Sequence, residues 1–163
     1  MTIVKDIMTS PVITGHMDST IGEIYSFFKS KNIHHLPIVH DNHLAGLISD
    51  SDIVMALSPY WGTAAEQNRD TDTANRLAHQ IMTRHPICTQ TNESIETAAK
   101  RILQKDVSCL PVLDEDNSLC GILTWKDIIK HFIQDHLNDA DNPLPLINFK
   151  DTDTDTDTDT DSE

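Results

Sequence analysis

Two short stretches of the sequence each place an acidic residue three positions after a hydroxyl residue. They are GLISDSDIV at residues 46–54 and GILTWKDII at residues 121–129. Ser49 and Asp52 of the first stretch correspond to Thr124 and Asp127 of the second. This spacing is typical of a capping box at a helix start. The same carboxylate could instead accept short, charge-assisted hydrogen bonds from a ligand. The pattern therefore indicates either a packing device or a binding site.

The repetition extends beyond these two stretches. DIMTSPVIT at residues 6–14 matches QIMTRHPICT at 80–89, and HHLPIV at 34–39 matches SCLPVL at 108–113. The offset is 74 residues between Met8 and Met82 and 75 residues between Asp52 and Asp127. A nearly constant offset predicts two copies of one structural unit. We expect repeat 1 over residues 1–58, a connector over 59–76, repeat 2 over 77–136 and an acidic tail over 137–163.

The local patterns in each copy predict the element order β-α-β-β-α, which is an α+β fold. Thr20 with Glu23 predicts a capped helix in the first copy, and Ser94 predicts one in the second. The apolar runs that begin with Leu-Pro predict paired strands, with a polar turn at Asp41-Asn42 in the first copy. We also expect a helix in the connector that packs Trp61 against the body. One copy of about sixty residues would be marginally stable alone, so we expect a pseudo-two-fold pair.

The charge of the chain limits its partners. The 163 residues carry a formal net charge of −14, and half of that charge lies in the final DTDTDTDTDTDSE. An acidic body has no electrostatic attraction to phosphate backbones, so nucleic-acid binding is not predicted. This final run, residues 151–163, contains no apolar residue, and the tail is expected to be disordered. No apolar run approaches the roughly 20 residues that span a bilayer, and no signal peptide is recognised. We expect a cytoplasmic protein without a membrane partner.

The cysteines and histidines do not predict a metal site. The cysteines are odd in number and lack C-x-x-C spacing, so we expect free thiols. The histidines of the first copy alternate across strand faces and therefore do not converge on one ion. The sequence also lacks a Ser-His-Asp, Cys-His or P-loop pattern with supporting context, so an enzyme is not predicted.

Over about residues 3–132, the sequence resembles a cystathionine-beta-synthase (CBS) domain pair, also called a Bateman module. The doubled D-I-M-T-type opening, the Leu-Pro strand start and the closing G-h-h-[ST]-x-x-D-h motif carry the resemblance, where h is apolar. It implies a regulatory module that binds AMP, ADP, ATP or an adenosyl metabolite such as S-adenosylmethionine in two clefts between the repeats. The arrangement is similar to stand-alone bacterial CBS-pair proteins. It further implies a homodimer docked through helices, with an unidentified protein partner.

The resemblance also implies the residues that hold the ligand. Asp52 and Asp127 would hold ribose hydroxyls, with Ser49 and Thr124 beside them. A carboxylate suits this role because it can accept from two hydroxyls, and a helix start stabilises its charge. The opening of the other copy would contact the adenine in each cleft. This assigns Val12, Ile13 and Thr14 to Asp127, and Ile87, Cys88 and Thr89 to Asp52.

The phosphate side of each cleft has few basic residues. Its candidate residues are Ser51, Lys126, His34, His35 and Arg84. Histidine is only partly charged at neutral pH, which argues for a monophosphate, a ligand with an uncharged tail, or one inactive cleft. Protonation of His35 near pH 6 is a hypothesis for tuning. The alternative function is a dimerisation adaptor whose clefts bind nothing.

Overall fold

The computed structural model describes residues 1–41 and 43–137, with the side chains of residues 135–137 excepted. The expected turn residue Asn42 and the acidic run at 151–163, expected to be disordered, lie outside the described residues.

The two halves of the chain share one order of elements, apart from one additional two-residue strand in the second half, and this confirms the tandem α+β prediction. The first half contains α1 (Val4–Ile7), β1 (Gly15–His16), α2 (Ile21–Lys31), β2 (His35–His40), β3 (His43–Ser49) and α3 (Asp50–Ala56). The connector contains α4 (Asn68–Ala74). The second half contains α5 (Ala78–Ile81), β4 (Thr83–Arg84), β5 (Thr89–Gln90), α6 (Ile95–Lys105), β6 (Cys109–Leu113), β7 (Leu119–Thr124) and α7 (Trp125–Leu137).

The strands form one sheet in each half. The first sheet has the order β1-β2-β3-β4 and the second has the order β5-β6-β7. In both, the outer short strand pairs in parallel with the next strand, which then forms an antiparallel hairpin. The hairpins have a register shift at equivalent places, Ile38/Val39 and Val112/Leu113. The pseudo-symmetry therefore extends to the irregularities of the sheets.

The opening segments are exchanged between the halves. β4, from the second opening, pairs with β3 of the first half, and Thr9 of the first opening bridges to Ile122 on β7. Each opening also enters the other core: Ala78 and Met82 are buried in the first core, and Val4 is buried in the second. Neither half has a complete core without the opening segment of the other.

The exchange explains the glycine that begins each closing motif. A Cβ atom built on Gly46 would lie 2.5 Å from Sδ of Met82, and one built on Gly121 would lie 2.5 Å from Sδ of Met8. Real Cβ atoms do not approach other atoms so closely, so each glycine allows the methionine of the exchanged opening to pack against the strand.

The predicted helix starts are confirmed. The backbone N–H of Thr20 donates to Oε2 of Glu23 at 2.8 Å, and Oγ1 of Thr20 accepts from the N–H of Glu23 at 3.3 Å. Oγ of Ser94 accepts from the N–H of Thr97 at 3.2 Å. These side chains satisfy N–H groups that have no partner inside the helix.

The predicted connector helix is α4, and Trp61 packs back on the body as expected. Its ring meets Tyr25 edge-on with the ring centroids 5.7 Å apart, and α4 contacts α2. Within the described ranges, none of the helices combines the length and the apolar character needed to cross a membrane.

Candidate ligand cleft between the repeats

A cleft of about 680 Å³ lies where the start of α3 faces the start of α7. Its walls also include the starts of β2 and β6. Residues from both repeats therefore line one cavity. The predicted site residues that it brings together are His34, His35, Ser49, Ser51, Thr124, Lys126 and Asp127.

Asp127 is held on the wall of this cleft by its own helix start. Oδ2 of Asp127 accepts from the backbone N–H of Thr124 at 2.9 Å and from Oγ1 of Thr124 at 2.6 Å. The N–H of Asp127 donates back to Oγ1 at 3.3 Å. Among the residues whose side chains are described, none donates to Oδ1 of Asp127. Capping therefore fixes the carboxylate through one oxygen and leaves the other available to a ligand.

Asp52 has the same local geometry in a different setting. Oδ2 of Asp52 accepts from the N–H of Ser49 at 2.8 Å and from Oγ of Ser49 at 2.7 Å. Ser49 and its neighbours Asp50 and Ser51 line the cleft, whereas Asp52 is not among the lining residues. The two acids are thus equivalent as caps and different in their access to this cavity.

The expected adenine contacts of the first opening lie outside the lining of the cleft. Val12 is half-buried, Ile13 and Thr14 are exposed, and the residue of this opening that does line the cleft is Thr9. Thr9 belongs to the D-I-M-T-type opening motif, whereas the adenine contacts were predicted in the stretch that follows Pro11. Thr9 was therefore not predicted as a site residue. The proposed contacts of Val12, Ile13 and Thr14 stay predictions.

The residues expected around Asp52 take part in a separate polar network. Thr89 is buried, and its hydroxyl donates to Glu93. Arg101 forms an ion pair with the same Glu93 at 2.5 Å, and its Nη1 donates to the carbonyl of Cys88 at 3.1 Å. These bonds fix the segment that follows β4, and the predicted ligand contacts of Cys88 and Thr89 stay predictions.

Ile87 and Arg84 are the other two predicted ligand contacts near this segment. Ile87 is half-buried and packs beside the second core. Arg84 is exposed, and its Nη2 lies 3.4 Å from the carbonyl oxygen of His79. Their contacts with a ligand also stay predictions.

The charges on the cleft walls are unevenly distributed. Nδ1 of His34 lies 2.9 Å from Oδ2 of Asp50. Burial opposes ionisation of Asp50, but the hydrogen bonds from His34 and from the N–H of Ser51 outweigh it, so the pKa of Asp50 is lowered. Lys126 and Lys130 lie on the opposite wall. Lys130 was missed by sequence reasoning, although its spacing of four residues from Lys126 places both on one helix face.

His35 joins the two repeats across the cleft. Its Nε2 lies 2.6 Å from Oγ of Ser108 at the start of β6. Burial lowers the pKa of His35, with smaller opposing contributions from Asp50 and Asp52. Burial therefore disfavours the charged form of His35, and Lys126 and Lys130 are the ammonium groups that line the cleft.

All three cysteines are free thiols, of which Cys109 is buried and Cys88 and Cys120 are half-buried. Within the described residues, 1–41 and 43–137, no group of three or more His, Cys, Asp or Glu side chains is arranged to hold a metal ion.

Comparison with known proteins places this geometry in a family. The CBS domain model matches residues 4–59 and 78–134, which is most of the chain. A crystal structure of the CBS domain pair of protein MJ0100, in complex with 5′-methylthioadenosine and S-adenosyl-L-methionine, is 30% identical and has a TM-score of 0.69. The similarity covers 83% of this chain and 98% of that one.

Two curated relatives differ in how much of them this chain covers. An L-aspartate semialdehyde sulfurtransferase of Methanocaldococcus jannaschii is 35% identical over 134 residues, or 81% of this chain and 23% of that protein. A CBS domain-containing protein of Dictyostelium discoideum is 31% identical over 136 residues, or 81% of this chain and 92% of that protein. The chain thus spans less than a quarter of the first relative and nearly all of the second. With both repeats matched by the family model and by a solved structure, the chain belongs to the CBS domain family as a tandem CBS domain pair.

Proposed function

We propose that this domain pair is a regulatory module that binds an adenosyl ligand in the cleft between its repeats, with Asp127 accepting from the ribose hydroxyls. The observation that carries the proposal is the fixed carboxylate of Asp127, whose Oδ1 lacks a donor within the described part of the chain. It lies on the wall of a cleft of about 680 Å³, a size typical of small-molecule sites. The similar domain pair of MJ0100, crystallised with two adenosyl compounds, supports the ligand class.

The walls favour a ligand with a small negative tail. Lys126 and Lys130 supply two ammonium groups, while the opposite wall carries the ionised Asp50 beside His34. One or two phosphates can be compensated by the lysines, whereas a longer phosphate chain would also approach Asp50. AMP or ADP therefore fits this distribution better than ATP. S-adenosylmethionine, whose tail carries positive charge, would have to direct that tail towards Asp50.

Binding can be transmitted because the cleft is built from both repeats. A ligand that touches the starts of α3 and α7 favours one relative position of the repeats, and this differential affinity is what a regulatory signal requires. No catalytic role is proposed. The sulfurtransferase relative extends far beyond the matched 23% of its length, so its activity is not carried over.

We also propose that the chain forms a homodimer through its helices. Val54 and Met55 on α3 are 71% and 87% exposed. Neighbouring apolar side chains of this kind are typical of surfaces that become buried on association.

An adaptor that binds no ligand is the second candidate function. Both motif carboxylates already serve as caps of α3 and α7, which is a sufficient structural reason for the motif. Thermal unfolding with AMP, ADP, ATP, 5′-methylthioadenosine and S-adenosylmethionine separates the two functions. The sensor predicts a dose-dependent rise in Tm with at least one compound. No rise with any of them at millimolar concentration would favour the adaptor.

A further inference from the structure

Two grooves between helices are lined by equivalent residues of the two repeats. One groove, of about 230 Å³, lies between α2 and α3, and the other, of about 570 Å³, lies between α6 and α7. Their lining residues correspond one to one at the offsets of 74 and 75 residues that relate the repeats. The side chains of the two grooves can therefore be compared position by position.

The rims of the two grooves, meaning their most exposed lining residues, differ in polarity. In the α6–α7 groove, Leu103 is 80% exposed, and Trp125 and Ile129 are 45% and 46% exposed. The residues at the corresponding positions of the α2–α3 groove are Lys29, Asp50 and Val54. Two of the three apolar positions in repeat 2 are thus occupied by opposite charges in repeat 1.

The charged rim of repeat 1 is held by contacts within the chain. Nζ of Lys29 lies 4.4 Å from the centre of the Tyr25 ring, and Oδ2 of Asp50 lies 2.9 Å from Nδ1 of His34. Lys29 and Asp50 are exposed, so water still solvates both. A surface placed over them must supply a polar or charged partner, because removal of that water is otherwise costly.

The helices that follow the closing motifs also differ in length. α3 has 7 residues and ends at Ala56, whereas α7 has 13 residues and ends at Leu137. The additional part of α7 carries Phe132 and Ile133, which are 42% and 40% exposed. The apolar surface of repeat 2 therefore extends along a part of the helix that has no counterpart in α3.

A two-fold homodimer through these grooves has two possible arrangements. In the head-to-head arrangement, each repeat faces the same repeat of the second copy, and in the crossed arrangement, repeat 1 faces repeat 2. The crossed arrangement would place Lys29 and Asp50 over the apolar rim of repeat 2. Among the lining residues of that groove, Asp106 could accept from Lys29, but Asp50 would face no basic side chain. The end of α7 would face a repeat whose α3 has already ended.

Head-to-head contact removes both mismatches. The apolar rims of the two α6–α7 grooves bury one another, together with the ends of both α7 helices. The two α2–α3 rims each carry one positive and one negative side chain, so a two-fold axis can bring Lys29 of one copy to Asp50 of the other. The exposed Val54 and Met55 of repeat 1 are covered in the same contact.

We propose that two copies of this chain associate head to head, with the paired α6–α7 grooves as the apolar half of the interface and the paired α2–α3 grooves as its charged half. This inference rests on the homodimer proposed above and specifies its arrangement. It does not depend on which ligand the cleft binds.

Three surface variants of the full chain distinguish the arrangements. An acidic variant, Leu103→Glu with Ile129→Glu, and a basic variant, Leu103→Lys with Ile129→Lys, charge the rim of repeat 2. A third variant, Val54→Lys with Met55→Lys, charges repeat 1. Like charges across an interface are strongly unfavourable, so the acidic and basic variants should each self-associate at least about tenfold more weakly than the parent. An equimolar mixture of these two should form a heterodimer.

Sedimentation velocity measures the mass of each sample, and native mass spectrometry with one variant labelled with nitrogen-15 identifies the heterodimer. Lys105→Glu is the control, because it changes the net charge as much as the acidic variant does, at an exposed position of α6 outside the groove lining. It should leave self-association unchanged. Far-UV circular dichroism checks that every variant is folded.

A heterodimer of the acidic and basic variants, without one between the acidic variant and the repeat 1 variant, supports the head-to-head arrangement. A heterodimer only in the second mixture would overturn it in favour of the crossed arrangement and would leave the homodimer intact. A heterodimer in neither mixture would also overturn it. A parent that stays monomeric at every concentration would overturn the homodimer itself, while the thermal panel would still test ligand binding independently.

Discussion

Asp52 and Asp127 make almost the same hydrogen bonds at the starts of α3 and α7, yet only Asp127 is among the residues that line the cleft. The motif is therefore sufficient to position a carboxylate and insufficient to expose it to a ligand. Access is decided by how the two repeats pack. Repeat 1 contributes Ser49 and Asp50 from the start of α3 to the wall. Repeat 2 contributes the motif acid Asp127 and the two lysines, Lys126 and Lys130.

The largest effect is expected from equivalent core positions. Leu36 and Leu110 occupy the same place in β2 and β6 and are almost fully buried. Replacing either by alanine should lower the free energy of unfolding by about 2–5 kcal/mol, because it leaves a cavity. Since each core contains the opening of the other half, both variants should still unfold in one transition, measured by urea titration with circular dichroism and fluorescence. Two separate transitions in either variant would contradict the interdependence of the halves.

A smaller and unequal effect is expected at the motif glycines. In Gly46→Ala the new Cβ would lie 2.9 Å from the backbone oxygen of Thr83, whereas in Gly121→Ala the corresponding distance to Thr9 is 3.1 Å. Both should destabilise the fold by about 1–3 kcal/mol through overpacking, with Gly46→Ala the more severe because a backbone atom must shift. Urea unfolding gives both values. Equal or reversed losses would indicate that the methionine contacts, and not the backbone oxygen, control the strain.

The smallest expected effects are two opposite pH dependences of stability, one from each repeat. His35 and Cys109 are equivalent residues at the starts of β2 and β6. Burial lowers the pKa of His35 below 6.5, despite the nearby Asp50 and Asp52 and with help from His34 and Lys126. Below pH 6.5 the unfolded chain therefore binds more protons at this position than the folded chain does. As a result, the contribution of His35 lowers the free energy of unfolding as the pH falls.

Burial has the opposite consequence at Cys109, where it raises the pKa of the thiol from 9.0 to about 12. The unfolded chain loses that proton first, so stability falls as the pH rises above 9.0. Thermal unfolding from pH 5 to 10 checks both signs. His35→Gln should reduce the loss on the acidic side alone. Cys109→Ala should reduce the loss on the alkaline side alone, and part of that loss should remain because burial also raises the pKa of the Cys88 and Cys120 thiols. A His35→Gln variant with the parental acid profile would show that other groups cause the acid loss.

Local features could be predicted from the sequence because they depend on neighbouring residues. The capping box at Thr20 and Glu23, the strands that start at Leu-Pro and the order of elements all follow from short-range spacing. The four-residue helices α1 and α5 were not predicted, because they are too short to show helical periodicity. The repeated motif was informative because it occurred twice at a constant offset.

The composition of the cleft could be predicted only in part. Seven predicted residues line it together, but the stretch from Val12 to Thr14 does not, and Thr9, Asp50 and Lys130 were missed. Those placements depend on the exchange of the openings, which is a contact over more than one hundred residues between Thr9 and Ile122. No pattern within one repeat encodes it, although the paired Gly46–Met82 and Gly121–Met8 contacts are its structural signature.

The central claim is tested most directly by isothermal titration calorimetry of two matched variants, Asp127→Asn and Asp52→Asn, with the best ligand from the thermal panel. Both substitutions keep the size of the side chain and alter the same cap, so their losses of stability should agree to within about 0.5 kcal/mol. Asp127→Asn should weaken binding at least about tenfold by removing a charge-assisted acceptor, while Asp52→Asn should leave the Kd of the same cleft within about twofold of the parent. An Asp127→Asn variant that binds the ligand with the Kd of the parent would show that the helix-start carboxylate of repeat 2 holds no ligand.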